Sequence, residues 1–82
     1  MGLTKDESFM VHLYEEASKH PEILDAVFDR YTIGQLTGLQ KRAVDTICTL
    51  LGQANFIKKR GESEISITPQ GLRLIEQIKE GK

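Results

Sequence analysis

Apolar side chains return along this chain at two different periods, and the periods divide it into elements. Between Thr4 and Pro21, Phe9, Met10, Leu13, Tyr14 and Ala17 recur at steps of three and four, which places them on one broad face of an α-helix. Thr4 followed by Glu7 forms a capping box and Pro21 stops the run, so the pattern predicts a first helix over about residues 4–20. In the next segment, EILDAVFDRY, the positions of Ile23, Leu24, Val27 and Phe28 suit a short helix, while its carboxylates and brevity also suit a packed loop. A short helix is the expectation. Toward the other end, FIKKRGESEISIT changes period: Ile65 and Ile67 alternate with Ser66 after a turn at Gly61, which predicts a β-hairpin over about 56–67, isoleucines inward and Ser66 outward. A last helix over about 68–80 opens with Thr68 as N-cap and Pro69 in its first position, and carries Leu72, Ile75 and Ile78 as its stripe.

The stretch between them, TIGQLTGLQKRAVDTI, fits neither one helix nor a loop. It becomes regular as two helices and a corner. Thr32 and Gln35 form a second capping box, so a short helix runs from about Ile33 to Thr37 and buries Ile33 and Leu36. Gly38 turns the chain with positive φ, which costs glycine little. A longer helix follows over about 40–54, with Val44, Ile47, Cys48 and Leu51 inward and Asn55 closing it in the left-handed conformation. Gly34 lies one turn before the corner, where the missing Cβ lets the two helix backbones approach. A rival reading makes Thr37 the N-cap of a helix that begins at Gly38, with Gln40 completing the box. Either way the fold class is mainly α with a small β-hairpin (α+β).

Bulk properties narrow the field. With 82 residues the chain makes one small domain, and such a domain hides only about 60% of its unfolded surface, leaving little room for an elaborate buried active site. Apolar runs are too short for a transmembrane helix or a signal peptide. One cysteine makes no internal disulfide and no structural zinc set, so no metal or cofactor is expected and a reducing cytoplasm is the expected location. The net charge of −1 is unevenly spread: residues 1–37 hold three Lys/Arg and seven Asp/Glu (−4), residues 38–60 five and one (+4), and residues 61–82 three and four (−1). The middle third is where an anionic partner would go.

Gly34, then Gly38 four residues later, Leu39 directly after it, and Val44 and Ile47 six and nine beyond it resemble the helix-turn-helix of DNA-binding proteins. Together with the hairpin and last helix, over roughly residues 30–78, the order resembles the winged helix-turn-helix superfamily, as in small stand-alone bacterial regulators. One departure is Thr37, where the family usually places an aliphatic residue; Leu36 is expected to supply that contact. The resemblance implies a three-helix core plus wing and C-terminal helix. It also implies a regulator of transcription that binds double-stranded DNA, with the helix over 40–54 in the major groove. Carried onto this sequence, Gln40, Lys41, Arg42, Asp45 and Thr46 would face base edges, and Lys58, Lys59 and Arg60 of the wing would clamp phosphates. Asp45, one turn after Lys41, is read first as a salt bridge to that lysine and second as a cytosine acceptor.

Each of these residues also has a plain use. Lys58, Lys59 and Arg60 can keep a hairpin edge from pairing with another chain, and Gln40, Lys41 and Arg42 suit any solvated helix start. Glu62 and Glu64 reduce the positive character of the hairpin. The competing function is a winged-helix protein-interaction module that does not bind DNA. A homodimer through the first helix, using Met10 and Tyr14, or through the C-terminal helix would let a small regulator span two half-sites. An enzyme is not expected. His12 and His20 lie about 12 Å apart along a helix, too far to share a metal or a proton, Cys48 sits on the inward stripe, and neither a nucleophile–base motif nor a phosphate loop is present.

Overall fold

Thr4 opens the first helix as its sequence implies. In the computed structural model, which describes residues 3–80, α1 spans Lys5–Ala17. The Glu7 amide donates to the Thr4 hydroxyl at 3.3 Å and the Thr4 amide to the Glu7 carboxylate at 3.0 Å, the reciprocal pair of a capping box. α1 ends earlier than expected, at Ala17, and Lys19 and His20 donate back to Glu16 and Ala17 in a closing turn before Pro21.

The expected short helix over EILDAVFDRY is not there. Ile23–Asp25 make a single 3-10 turn, Phe28–Asp29 form a strand, β1, and Arg30 already belongs to α2, Arg30–Thr37. The physical reason is a long-range partner: Phe28 and Asp29 pair with Ile65 and Glu64, and local spacing carries no trace of that. The start of α2 moves accordingly. Asp29, not Thr32, is its N-cap, and the Asp29 carboxylate accepts from the Thr32 amide at 3.2 Å. Next come α3, Lys41–Gln53, then β2, Ile57–Lys59, β3, Glu64–Ile67, and α4, Pro69–Glu80. The three strands form an antiparallel sheet in the order β1–β3–β2, with Ile57 opposite Ile67 and Lys59 opposite Ile65. The result is a mainly helical α+β fold of four helices and one small sheet among the described residues.

One core serves every element. Phe9, Met10 and Leu13 of α1 meet Ile33 of α2, Val44, Ile47 and Leu51 of α3, Ile65 and Ile67 of the sheet, and Ile75 and Ile78 of α4. Each fully buried side chain of this size contributes about 1.5–3 kcal/mol. Met10 is therefore no dimer contact, because it is 0% exposed inside the chain's own core. Tyr14 is half-buried, with the Lys79 ammonium 4.6 Å from its ring centre. Ser66 is also not turned to solvent. It lies on the central strand and is buried, with Arg60 Nη1 donating to its hydroxyl at 3.4 Å.

The corner between α2 and α3 follows the expected geometry. Gly38 has φ +81°, its amide donates to Gln35 C=O at 3.1 Å, and the Leu39 amide donates to Gly34 C=O at 2.8 Å. This Schellman pair consumes carbonyls that the end of α2 would otherwise leave bare. The rival start of a helix at Gly38 is thereby ruled out, and the Thr37 hydroxyl donates back to Ile33 C=O instead of capping. Leu36 does not replace the missing aliphatic contact, since it is 50% exposed. At Gly34 a Cβ would lie 2.2 Å from Val44 Cγ2, so the glycine is what lets α3 cross α2. Asn55 closes α3 with φ +65° and a second Schellman pair, Asn55 N–H to Gly52 C=O and Phe56 N–H to Leu51 C=O. Thr68 then caps α4: its hydroxyl accepts from the Gly71 amide and donates to Asn55 C=O at 2.6 Å.

Two predictions follow from these contacts. Gly34→Ala should cost about 1–3 kcal/mol in urea unfolding, the usual penalty for an extra methyl group in a filled interface. In a Val44→Ala background, which removes the clashing methyl, the same change should cost less than half as much; equal losses in both backgrounds would rule out the Gly34–Val44 contact as the cause. Asp29→Ala should remove about 0.5–2 kcal/mol as a lost cap, and the loss should depend on pH. The hydrogen bond from the Ser63 hydroxyl, the largest influence, outweighs the opposing effect of burial and, with further bonds from Thr32, holds the Asp29 carboxyl below its usual range. A depressed acid stabilises the fold above its unfolded pKa of about 3.9 and loses that effect as pH falls through the lower folded value. The gap between wild type and Asp29→Ala should be constant near neutral pH and close below pH ~4. A gap that is unchanged in acid would contradict this.

Candidate functional site

Helix α3 turns about 100° per residue, so with Val44, Ile47, Cys48 and Leu51 packed inward its outward row is Arg42, Thr46, Thr49 and Gln53. Lys41, Asp45 and Gly52 lie on the flank toward Arg30 and the sheet, and Ala43 and Leu50 on the flank toward the start of α1. Gln40, Lys41, Arg42, Asp45 and Thr46 are all solvent-exposed, and the Gln40 side chain makes no capping hydrogen bond.

Asp45 is held by residues on α2, not by Lys41. Its Oδ1 accepts from the Tyr31 hydroxyl at 2.6 Å and pairs with Arg30 Nη2 at 3.2 Å, while Arg30 Nη2 also donates to the Tyr31 oxygen at 3.1 Å. Lys41 places its ammonium 5.5 Å from the Tyr31 ring centre instead. The expected Lys41–Asp45 bridge gives way because Arg30 and Tyr31, brought alongside by the α2–α3 crossing, offer Asp45 two partners at once. The Tyr31 hydrogen bond raises the Arg30 pKa, so the guanidinium stays charged. Its Nε is buried and has no partner among the described residues.

On the hairpin, Lys58, Lys59 and Arg60 are exposed. They do not share one face. Lys58 stands opposite Ser66 and Lys59 opposite Ile65, so the two lysines point to opposite sides of the sheet. Arg60 leans over Ser66. Among the described residues the ion pairs are Lys19–Glu16 and Arg30–Asp45, which leaves Lys41, Arg42, Lys58, Lys59 and Arg60 without a carboxylate in ion-pair range.

A cavity of about 320 Å³ lies between α3 and the sheet, lined by Arg30, Thr49, Gln53, Lys59, Ile57 and Ile65 among others. It joins the later turns of α3 to the hairpin, because Thr49, Gln53 and Lys59 border the same space, while Lys41 and Arg42 do not line it. Arg30, Tyr31, Thr49 and Gln53 all escape sequence reasoning. For Arg30 and Tyr31 a signal exists in Asp29, which is a good N-cap and would have started α2 before them. Thr49 and Gln53 stand on the outward row of a helical wheel, a signal that was available but shared with any solvated face.

Burial pushes the Cys48 thiol up to about 11 despite a lowering influence of Arg30, and so keeps it neutral. His12 Nδ1 lies 2.8 Å from Ser8 C=O, and the His20 ring stacks edge-on against Phe28. No group of three or more His, Cys, Asp or Glu that could hold a metal occurs among the described residues, and none of their helices is long and apolar enough to cross a membrane. No protein-family model, curated protein or solved structure matches this chain.

Proposed function

We infer that this chain is a DNA-binding domain of the winged-helix type, with α3 entering the major groove and the β2–β3 hairpin acting as the wing on the phosphate backbone. The observation that carries the reading is the shared cavity: Thr49 and Gln53 on the outward face of α3 and Lys59 of the hairpin line one space, so helix and hairpin open to the same side. Further support comes from β1, a short strand between α1 and α2 that pairs with the hairpin's second strand and braces the wing against the helical core. In this reading Gln40, Lys41, Arg42 and Thr46 are the base-facing residues near the helix start, where a recognition helix meets base edges. Asp45, a liability beside phosphates, has its charge offset by Arg30 and its orientation fixed by Tyr31.

Binding by one copy should be weak and salt-dependent, since the net charge is −1 and Glu62 and Glu64 lie in the same hairpin as the wing cations. Spanning two half-sites would take a dimer, built through α4 or the exposed remainder of α1. One observation favours the protein-interaction reading. Leu50 is 56% exposed and borders a shallow groove of about 500 Å³ with Lys5, Arg42, Ala43 and Ile47. An apolar side chain there gains nothing from a phosphate and would suit a protein surface.

Fluorescence polarisation with mixed duplex DNA at two salt concentrations separates the two. Replacing Lys58, Lys59 and Arg60 with alanine should weaken all sequences alike and flatten the slope of log affinity against log salt by about 0.9 per lost phosphate contact. Arg42→Ala should cost about 1–3 kcal/mol on a preferred site and much less on random DNA. If wild type shows no salt-dependent binding even near ~50 mM salt, the middle of the chain is not a DNA surface and the protein-interaction reading replaces this one.

A further inference from the structure

Every helical glycine among the described residues except one has a visible reason. A Cβ on Gly34 would strike Val44 Cγ2 at 2.2 Å, and one on Gly71 would strike Phe56 C=O at 2.2 Å. Gly52, inside α3, has neither a contact within 4 Å nor a positive φ. A glycine in a helix weakens it relative to alanine, so a glycine with free space in front of it asks what the space is for. Gly52 lines the 320 Å³ cavity between α3 and the sheet. A Cβ there meets nothing, so a longer side chain at this position has room to enter the cavity.

The walls specify a class of occupant. Ile57, Ile65 and the neutral thiol of Cys48 make an apolar floor, while the Thr49 hydroxyl and the Gln53 amide offer polar groups at the α3 side. Two cations complete it, with no carboxylate among the lining residues. Lys59 has no ion-pair partner among the described residues, and Arg30 spends only Nη2 on Tyr31 and Asp45; its Nε has no acceptor among the described residues but is sealed from solvent, which leaves Nη1 to meet a ligand. Two carbonyls at the end of α3 are occupied: Leu51 C=O accepts from Phe56 and Gly52 C=O from Asn55. The volume holds roughly ten water-sized units at ~30 Å³ each, at the small end of ligand cavities. We propose that this cavity is a binding site for a small organic carboxylate with an apolar body, its carboxylate taken by Arg30 and Lys59 and its body laid on Ile57 and Ile65 over Gly52. Charge-assisted bonds to Arg set its orientation, and the apolar floor selects against bare inorganic anions. The site stands whether or not the chain binds DNA.

Benzoate is the probe, benzamide its neutral control and inorganic phosphate its apolar-free control. In a ¹⁵N-resolved NMR titration of the whole chain, benzoate should shift the Gly52, Gln53 and Ile65 amides saturably with a Kd of about 1 mM or tighter. Benzamide and phosphate should bind at least tenfold more weakly. Lys59→Gln, an exposed change, should weaken benzoate at least fivefold. Gly52→Leu should abolish binding while raising the melting temperature by roughly 4 °C or more through helix propensity, which separates a filled site from a lost fold. The proposal is overturned if benzoate gives no saturable shift, if benzamide or phosphate binds as tightly as benzoate, or if Gly52→Leu binds like wild type.

Discussion

The crossing of α2 and α3 is the constraint on which the rest of this structure depends. α2 has eight residues, too few to hold a helix by itself in water. It persists because Ile33 is buried against α1 and α3, because the Gly38 turn satisfies its last carbonyls, and because Gly34 lets Val44 come within contact of its backbone. Any side chain at Gly34 would push α3 outward, and the row from Arg42 to Gln53 would tilt with it. The orientation of the exposed helix is therefore fixed by a glycine on its neighbour.

A second set of contacts ties that crossing to the sheet. Asp29 closes β1, caps α2 and accepts from the Ser63 hydroxyl at 2.7 Å, and the Arg30 amide donates to Ser63 C=O at 2.8 Å. One residue later the Arg30 side chain reaches Asp45 on α3. Hairpin, α2 and α3 are thus joined through two adjacent residues. That junction holds the hairpin and α3 in a fixed relation.

Electrostatics favours neither extreme. The chain is close to neutral overall, and its acidic first third balances its basic middle. Charge is instead arranged locally. Asp45, the one carboxylate of residues 38–60, is paired with Arg30, and Lys41, Arg42 and the hairpin cations face solvent without carboxylate partners among the described residues. At physiological ionic strength the Debye length is about 8 Å, so such local arrangement matters more at contact than the net charge does.

What the sequence determined by itself were the features written in adjacent residues: the Thr4–Glu7 box, the inward stripe of α3, the left-handed positions Gly38 and Asn55, the inward Ile65 and Ile67, and the Thr68–Pro69 start of α4. Each depends on a turn or a period that a few neighbours specify. What only the tertiary structure decided were the features with a distant partner. Phe28 and Asp29 became a strand because β3 needed a second neighbour, and this moved the start of α2 from Thr32 to Asp29. Met10 became core because α2, α3 and α4 close over it. Asp45 left Lys41 for Arg30 and Tyr31, and Gly52 came to face a cavity, because helix crossing brings together side chains far apart in the chain. Local propensity acts over one or two turns, whereas burial and buried charge are settled by whatever the completed fold places opposite.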